Sequence, residues 1–271
     1  MSKLTLTLKE LPSVPLEAET LTPDSVVDLS NSQIAALTVY HGKRVCRLDD
    51  FFDIDGEKSA DIEIHGNLHR VRMIGKGMSR GSITITGDVG MHLGTQMSGG
   101  SITVTGNVSD WIGAEMTGGL IRVHGNAGGQ IGAAYRGSLA GMRGGTIIVD
   151  GTAGLEVGMR MKRGTIVIGD TVRDFAGLQM KGGTIVMLSG AEIRTGAWMN
   201  RGTIISCKPT QVMPTFAYSG SYNPTFVNVY AKHLSQYGIS VPYAPSQGSY
   251  TRYAGDMGVS GKGELLIWNA I

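Results

Sequence analysis

A chain of 271 residues is long enough to bury a substantial core, and its net charge of +2 lacks the basic excess of proteins that neutralise phosphates, so nucleic acid is excluded as a default partner. Cys46 and Cys207 are the only cysteines and form no C-x-x-C pattern, which argues against a disulfide framework or a zinc site and favours a reduced, cytoplasmic setting. No apolar run is long enough to span a bilayer, so no membrane partner is expected, while glycine, at 41 residues, has about twice its usual share.

The first segment, residues 1–59, carries Pro12, Pro15 and Pro23, an alternating strand at Leu4 to Leu8, and a short helix opening near Asn31 and running to Leu37. It is expected to cap the segment after it.

Residues 60–206 repeat. The opening tripeptides are Gly81-Ser82-Ile83, Gly100-Ser101-Ile102, Gly119-Leu120-Ile121, Gly145-Thr146-Ile147, Gly164-Thr165-Ile166, Gly183-Thr184-Ile185 and Gly202-Thr203-Ile204. Their spacing is 19 residues throughout, except for 26 between Gly119 and Gly145. A less regular unit begins earlier, at Asp61-Ile62-Glu63-Ile64. Two positions after the opening Ile of the first six of these units stands Ile85, Val104, Val123, Val149, Ile168 or Met187, the period of two that marks a strand with both apolar groups facing inward. The units then reach a glycine, such as Gly94 or Gly113, and a methionine three residues later, except that in the long unit Gly132 is followed by Met142. No unit has helical apolar spacing, and a propeller blade needs about twice as many residues per repeat. Such a unit cannot bury its apolar face alone and must stack on its neighbour. The expected fold is therefore all-β: a right-handed parallel β-helix of about seven 19-residue coils with small N- and C-terminal caps, the handedness following the general rule for parallel crossovers.

The outward residue of the strand is polar early, at Thr84, Thr103 and Arg122, and apolar later, at Ile148, Val167 and Val186, so a cover over the later coils is expected. The seven extra residues of the long unit, between Gly132 and Met142, should leave the rod and expose Tyr135 and Arg136 as a partner contact. The last segment, residues 207–271, holds most of the aromatics. It contains a helix announced by Asn223-Pro224 as N-cap and first helical residue, with Gly238 at its far end and an apolar stripe of Val227, Tyr230, Ala231 and Leu234.

Groups that perform chemistry are scarce in this pattern. The six histidines, His65 and His124 among them, have no second ligand type at metal-binding spacing, so no metal site is expected. Gly125-Asn126-Ala127-Gly128-Gly129 lacks the Gly-Lys-Ser/Thr and the following helix of a phosphate loop, and the buried methionines are core filler. No catalytic residue is assigned. One charged feature remains. The residues after the core methionines include Arg143, Lys162 and Lys181, and Arg163 and Arg201 lie beside them, so successive coils line up cations on one corner. They are either a solvated face that keeps the rod soluble or a landing strip for an acidic partner or a polyanionic ligand.

The repeat, together with Leu6 to Ala18, Asp49-Asp50-Phe51-Phe52, Tyr135 to Met142 and Tyr253-Ala254-Gly255-Asp256, resembles the C subunits of formylmethanofuran dehydrogenase and of the bacterial formyltransferase/hydrolase complex. The same GXGXG-type repeat ends glutamate synthase, a far longer chain that opens with an amidotransferase Cys. The tyrosine-rich segment Phe216 to Tyr250 is more similar to the formyltransferase/hydrolase branch. That resemblance implies a non-catalytic scaffold subunit in a complex handling formyl groups on a methanofuran-type carrier, with formyltransferase and hydrolase subunits as partners and no cofactor held by this chain itself. It also implies glutamate-containing carrier tails, for which Arg143, Lys162, Arg163, Lys181 and Arg201 are the candidate site. The alternative is the C subunit of a molybdenum or tungsten formylmethanofuran dehydrogenase. A stand-alone carbohydrate-binding β-helix is weaker, because its groove would carry paired carboxylates and exposed aromatics, whereas the repeat holds only Trp111, Tyr135, Phe175 and Trp198 as aromatics.

Overall fold

A computed structural model describes residues 3–271. The chain is all-β, with short helices at Pro23–Val26, Asn31–Ala35 and Thr225–Ser235. Its main sheet has thirteen strands and is mixed rather than purely parallel, and it does not close. The parallel part runs from Leu4–Leu8 through Asp61–His65, Ser82–Thr86, Ser101–Val104, Leu120–Val123, Arg143–Val149, Arg163–Ile168, Lys181–Met187 and Arg201–Ser206 to Gly263–Ala270. Antiparallel partners close the two ends: Phe52–Gly56 at the first, Gly248–Gly255 and Ala217–Tyr222 at the last. Both flanking segments thus contribute strands to the same sheet, which leaves its parallel edges covered and not open to pairing with another chain.

The register puts like on like. Ile83 pairs with Ile102, Ile102 with Ile121, Ile121 with Ile147, and the column continues through Ile166, Ile185 and Ile204 to Leu265. A second column of single parallel bridges joins Leu68, Val89, Val108, Ala127, Ala153, Val172 and Ala191. These residues, with the methionine column Met78, Met97, Met116, Met142, Met161, Met180 and Met199, form one continuous core. Glycine recurs at the corner because the space is spoken for: at Gly113, φ is +56° and an added Cβ would stand 2.5 Å from Ile147 Cδ1.

The cover over the later coils is the C-terminal segment. Ile148, Val167, Val186 and Ile205 are fully buried beneath Val227, Ala231 and Leu234 of the last helix and beside Tyr250, Leu266 and Trp268. Each of those four aliphatic groups contributes about 1.5–3 kcal/mol over an exposed position. The helix start differs from expectation. Pro224 is the N-cap, its side chain makes no capping bond, and the amide of Asn223 instead donates to the carbonyl of Gly248 at 3.1 Å. The helix entry is thereby fixed to the strand Gly248–Gly255. Tyr230 lies at the margin of the apolar stripe, where its hydroxyl accepts from Thr184 at 2.8 Å. The N-terminal strand Leu4–Leu8 forms where the sequence places it, and the helix that opens at Asn31 ends at Ala35, short of the expected Leu37.

Candidate partner-facing corner

Backbone ladders fix where the charged side chains sit. The N–H of Arg143 donates to the carbonyl of Met116, that of Lys162 to Met142, that of Lys181 to Met161 and that of Asn200 to Met180. Positions after the core methionine therefore do stack coil upon coil. Strand register adds Arg163 opposite Arg143 and Arg201 opposite Lys181. Arg143, Lys162, Arg163 and Arg201 are exposed, and among the described residues none of the five cations has a carboxylate within 4.0 Å. Lys181 differs from the others: it is half-buried, and its Nζ donates to the carbonyl of Leu139 at 2.7 Å.

The seven-residue insert does not simply leave the stacked repeats. Arg136, Gly137 and Leu139 are exposed, as expected of a surface contact, but Tyr135 folds back and is half-buried. Its ring stacks on Trp111 with centroids 5.0 Å apart, and its hydroxyl lies 2.8 Å from His92 Nδ1 and 2.9 Å from Thr95 Oγ1. The physical reason is the cost of leaving Trp111 and the buried Thr95 hydroxyl without cover. In the other direction the insert reaches later coils, because Arg160 Nη1 donates to the carbonyl of Ser138 at 2.8 Å and Lys181 holds Leu139. The insert is a clamp over neighbouring coils with an exposed tip.

Electrostatics follow from this packing. Burial, with the Arg72 guanidinium nearby, holds the His92 imidazolium below its usual range even though Glu17 and Asp110 favour it. Burial alone would raise the Glu115 carboxyl; hydrogen bonds from Ser138, Gln96 and the Tyr135 N–H, with Arg143 close by, bring it below the ordinary range. The Tyr135 phenol is pushed up by burial. No cluster of metal-ligating residues occurs among the described residues. His124 faces Asp150 at 2.6 Å, which also receives Arg122 at 3.2 Å, so this outward histidine belongs to a side-chain network on the strand face.

Two features escape sequence reading. Non-glycine residues occupy the left-handed region in two stacked rows, His92, Trp111, Gln130, Glu156, Phe175 and Arg194 in one, Gln96, Glu115, Arg160, Gln179 and Trp198 in the other, with φ from 51° to 69°. The second is Asp256, which is 3% exposed and whose Oδ2 accepts the N–H of Trp198 at 3.0 Å. In the earlier coils that N–H finds a carbonyl of the next coil: Gln96 to Ala114, Arg160 to Leu178, Gln179 to Ala197. The last coil has no successor, and the Asp256 carboxylate stands in for the missing carbonyl. The only sequence signal for this role was the Tyr253 to Asp256 segment as a whole.

No family model matches the sequence. Over 99 residues the chain is 39% identical to the C subunit of the tungsten-containing formylmethanofuran dehydrogenase 2 of Methanothermobacter thermautotrophicus, a match covering 35% of this chain and 37% of that protein. The C subunit of the molybdenum-containing formylmethanofuran dehydrogenase 1 of the same organism is 45% identical over 83 residues, 30% of this chain and 21% of its own length. The chain thus spans between about a fifth and just over a third of these curated relatives. A solved structure extends the likeness to the whole fold: a chain of the formyltransferase/hydrolase complex (FhcABCD) from Methylorubrum extorquens, crystallised with methylofuran, superposes with a TM-score of 0.90 at 34% identity, covering 97% of this chain and 98% of that one. A relative of that identity, matched almost end to end, settles the family, and the chain belongs to the C-subunit family of formylmethanofuran dehydrogenases and formyltransferase/hydrolase complexes.

Proposed function

We propose that the chain is the non-catalytic scaffold subunit of a formyltransferase/hydrolase complex that processes formyl groups on a methanofuran-type carrier, working in the cytoplasm beside formyltransferase and hydrolase subunits. The observation that carries this reading is the 97% coverage at a TM-score of 0.90 by a chain of such a complex. The use made of polar side chains supports the scaffold role. Asp88 accepts the N–H of Asn107, Asn107 that of Asn126, and Asn126 that of Thr152, so a column of amides and carboxylate ties turn to turn. Asp174 is taken by Arg194, and Glu264 by Thr203 and Arg252. The in-register isoleucine and methionine columns support reading residues 60–206 as a right-handed parallel β-helix of about seven coils, with residues 1–59 and 207–271 as its caps.

The unpaired corner of Arg143, Lys162, Arg163 and Arg201, with Lys181 at its edge, is the candidate surface for a carboxylate-rich carrier tail or an acidic neighbour, and Arg136 beside Tyr135 is the candidate contact on the insert. Exposed pairs are each worth about 1 kcal/mol or less and weaken with salt, so the effect is collective. The test is co-expression with the transferase and hydrolase subunits. This chain purified alone should transfer and hydrolyse no formyl groups, and the assembled complex should do both. In the complex, Lys162→Glu with Arg163→Glu should weaken retention of the carrier and flatten its salt dependence. Robust turnover by the isolated chain would end the scaffold reading.

A second reading is favoured by the curated relatives: the C subunit of a molybdenum or tungsten formylmethanofuran dehydrogenase. Metal analysis of the native complex separates the two, since molybdenum or tungsten in stoichiometric amount belongs only to this second assembly.

A further inference from the structure

The last complete coil ends in a groove of about 370 Å³ whose wall draws on three separate parts of the chain: Leu139 from the insert, Trp198 from the second left-handed row, and Val259 from the loop after Asp256. All three apolar side chains are exposed, Leu139 at 75%, Trp198 at 52% and Val259 at 45%. A tryptophan at this position is costly twice over. It presents a large apolar face to water, and it holds φ at +54°, a region that side chains with a Cβ disfavour. Nothing in its own coil stacks on it. The aromatics of the first left-handed row, by contrast, are covered: Phe175 by the Arg194 guanidinium at 4.1 Å, and Trp111 by Tyr135.

The backbone that presents the ring is nonetheless fixed. The buried Asp256 carboxylate takes the Trp198 N–H with one oxygen and the Gly258 N–H, at 2.8 Å, with the other, so the position from which the ring projects is set before any partner arrives. Rigid aromatic anchors of this kind lose little conformational freedom on binding. The side chains that line the groove carry charge of one sign. Arg160 and Lys181 line it, no carboxylate does, and the unpaired Arg143, Lys162, Arg163 and Arg201 lie on the adjoining corner.

We infer that this groove is a docking site for a segment of a neighbouring subunit that inserts an apolar side chain against Trp198 and places Asp or Glu residues against the surrounding cations. Trp198 is the anchor, the ring of Leu139 and Val259 excludes water around it, and Arg160 and Lys181 with the corner select an acidic flank. The insert has a definite part in this: its Leu139 completes the groove, and the bonds from Arg160 and Lys181 to its carbonyls hold it there.

The inference rests on the chain being a subunit of an assembly, and the experiment separates the two claims. Tagged full-length chain is co-expressed with the formyltransferase and hydrolase subunits, and the assembled fraction is followed by native mass spectrometry on dilution. Trp198→Gly removes the anchor and at the same time relieves the positive φ, so the isolated variant should melt no lower than wild type. Its assembly should need concentrations higher by about thirtyfold or more, the scale of an aromatic anchor at the centre of an interface. Leu139→Asp, at an exposed loop tip, should weaken assembly in the same direction and decides the matter if Trp198→Gly fails to fold. Variants that assemble at the wild-type concentration overturn the docking site while leaving the scaffold reading in place. Wild-type chain that stays alone at every concentration overturns both.

Discussion

Replacing Gly113 by alanine tests whether the corner glycines are demanded by the stacked core. At φ +56° an L-residue pays about 1–2 kcal/mol relative to its preferred regions. The new Cβ would also stand 2.5 Å from Ile147 Cδ1 and 3.3 Å from Ile121 Cδ1, against an ordinary carbon contact of about 3.5–4.0 Å. Ile147 is held in its column between Ile121 and Ile166, so its terminal methyl must leave its rotamer well at about 0.5–1.5 kcal/mol. The sum is about 1.5–3.5 kcal/mol of lost stability. Denaturant titration of the purified chain measures it, and Ile147→Val supplies the control, because removing that methyl alone costs about 0.5–1.5 kcal/mol yet relieves the clash in the double variant. A loss below about 1 kcal/mol for Gly113→Ala, or strict additivity of the pair, would refute the packing argument.

His92 gives a pH signature. Its folded-state pKa lies below the unfolded value, so the unfolded chain binds the proton first, and stability present above about pH 6.5 should fall as the pH drops toward the folded pKa. The C2 proton of His92 should titrate with a midpoint below 6.5, and a midpoint above it contradicts the burial argument. The two thiols should differ: burial pushes the Cys207 thiol up to about 12, so at pH 8 only the half-buried Cys46 should react with a thiol reagent until the chain is unfolded, as mass spectrometry would show. Deleting residues 134–140 restores a 19-residue step but leaves Trp111 uncovered and the Thr95 hydroxyl unpaired, so the melting midpoint should fall by an amount equivalent to about 1.5–4 kcal/mol; an unchanged midpoint would mean the insert clamps nothing.

The ladders were legible because their determinants are local and repeated. Ile-x-Val fixes which face points inward, the 19-residue step fixes what stacks on what, and Ile83 through Ile204 pair as the spacing requires. The apolar outward residues Ile148, Val167 and Val186 announced a cover, and the helix that supplies it was visible in its stripe. What escaped depends on contacts between distant segments. Nothing in the chemistry of His, Trp, Gln, Glu, Phe and Arg marks them as sharing a left-handed corner, because that conformation is imposed by the bonds between coils. Tyr135 was expected outside because an insertion lengthens a loop, but its ring had an open aromatic face to return to, which only the stacking of His92 and Trp111 creates. Of the candidate site, the cationic column was readable, whereas the apolar wall of the groove beside it takes one residue from each of three segments.

The left-handed rows distinguish the sides of the stacked repeats. Each non-glycine residue there costs about 1 kcal/mol, and glycine would remove that cost, so the side chains must return something. In the middle coils they do so within the chain: Gln130 bonds Glu156 at 2.9 Å, Arg160 bonds Gln179 at 2.7 Å, and Arg194 lies over Phe175. Those contacts tie one coil to the next, as the isoleucines do inside, and they make the corner a second spine. At Trp198 the row runs out of coils. The backbone is capped from within by Asp256, while the side chain is left facing water next to a column of unpaired cations. Stability alone would favour a glycine in that place. The face closed by the last helix therefore serves the chain's own core, and the corner where strain and exposure coincide is the one the proposed docking site assigns to another chain.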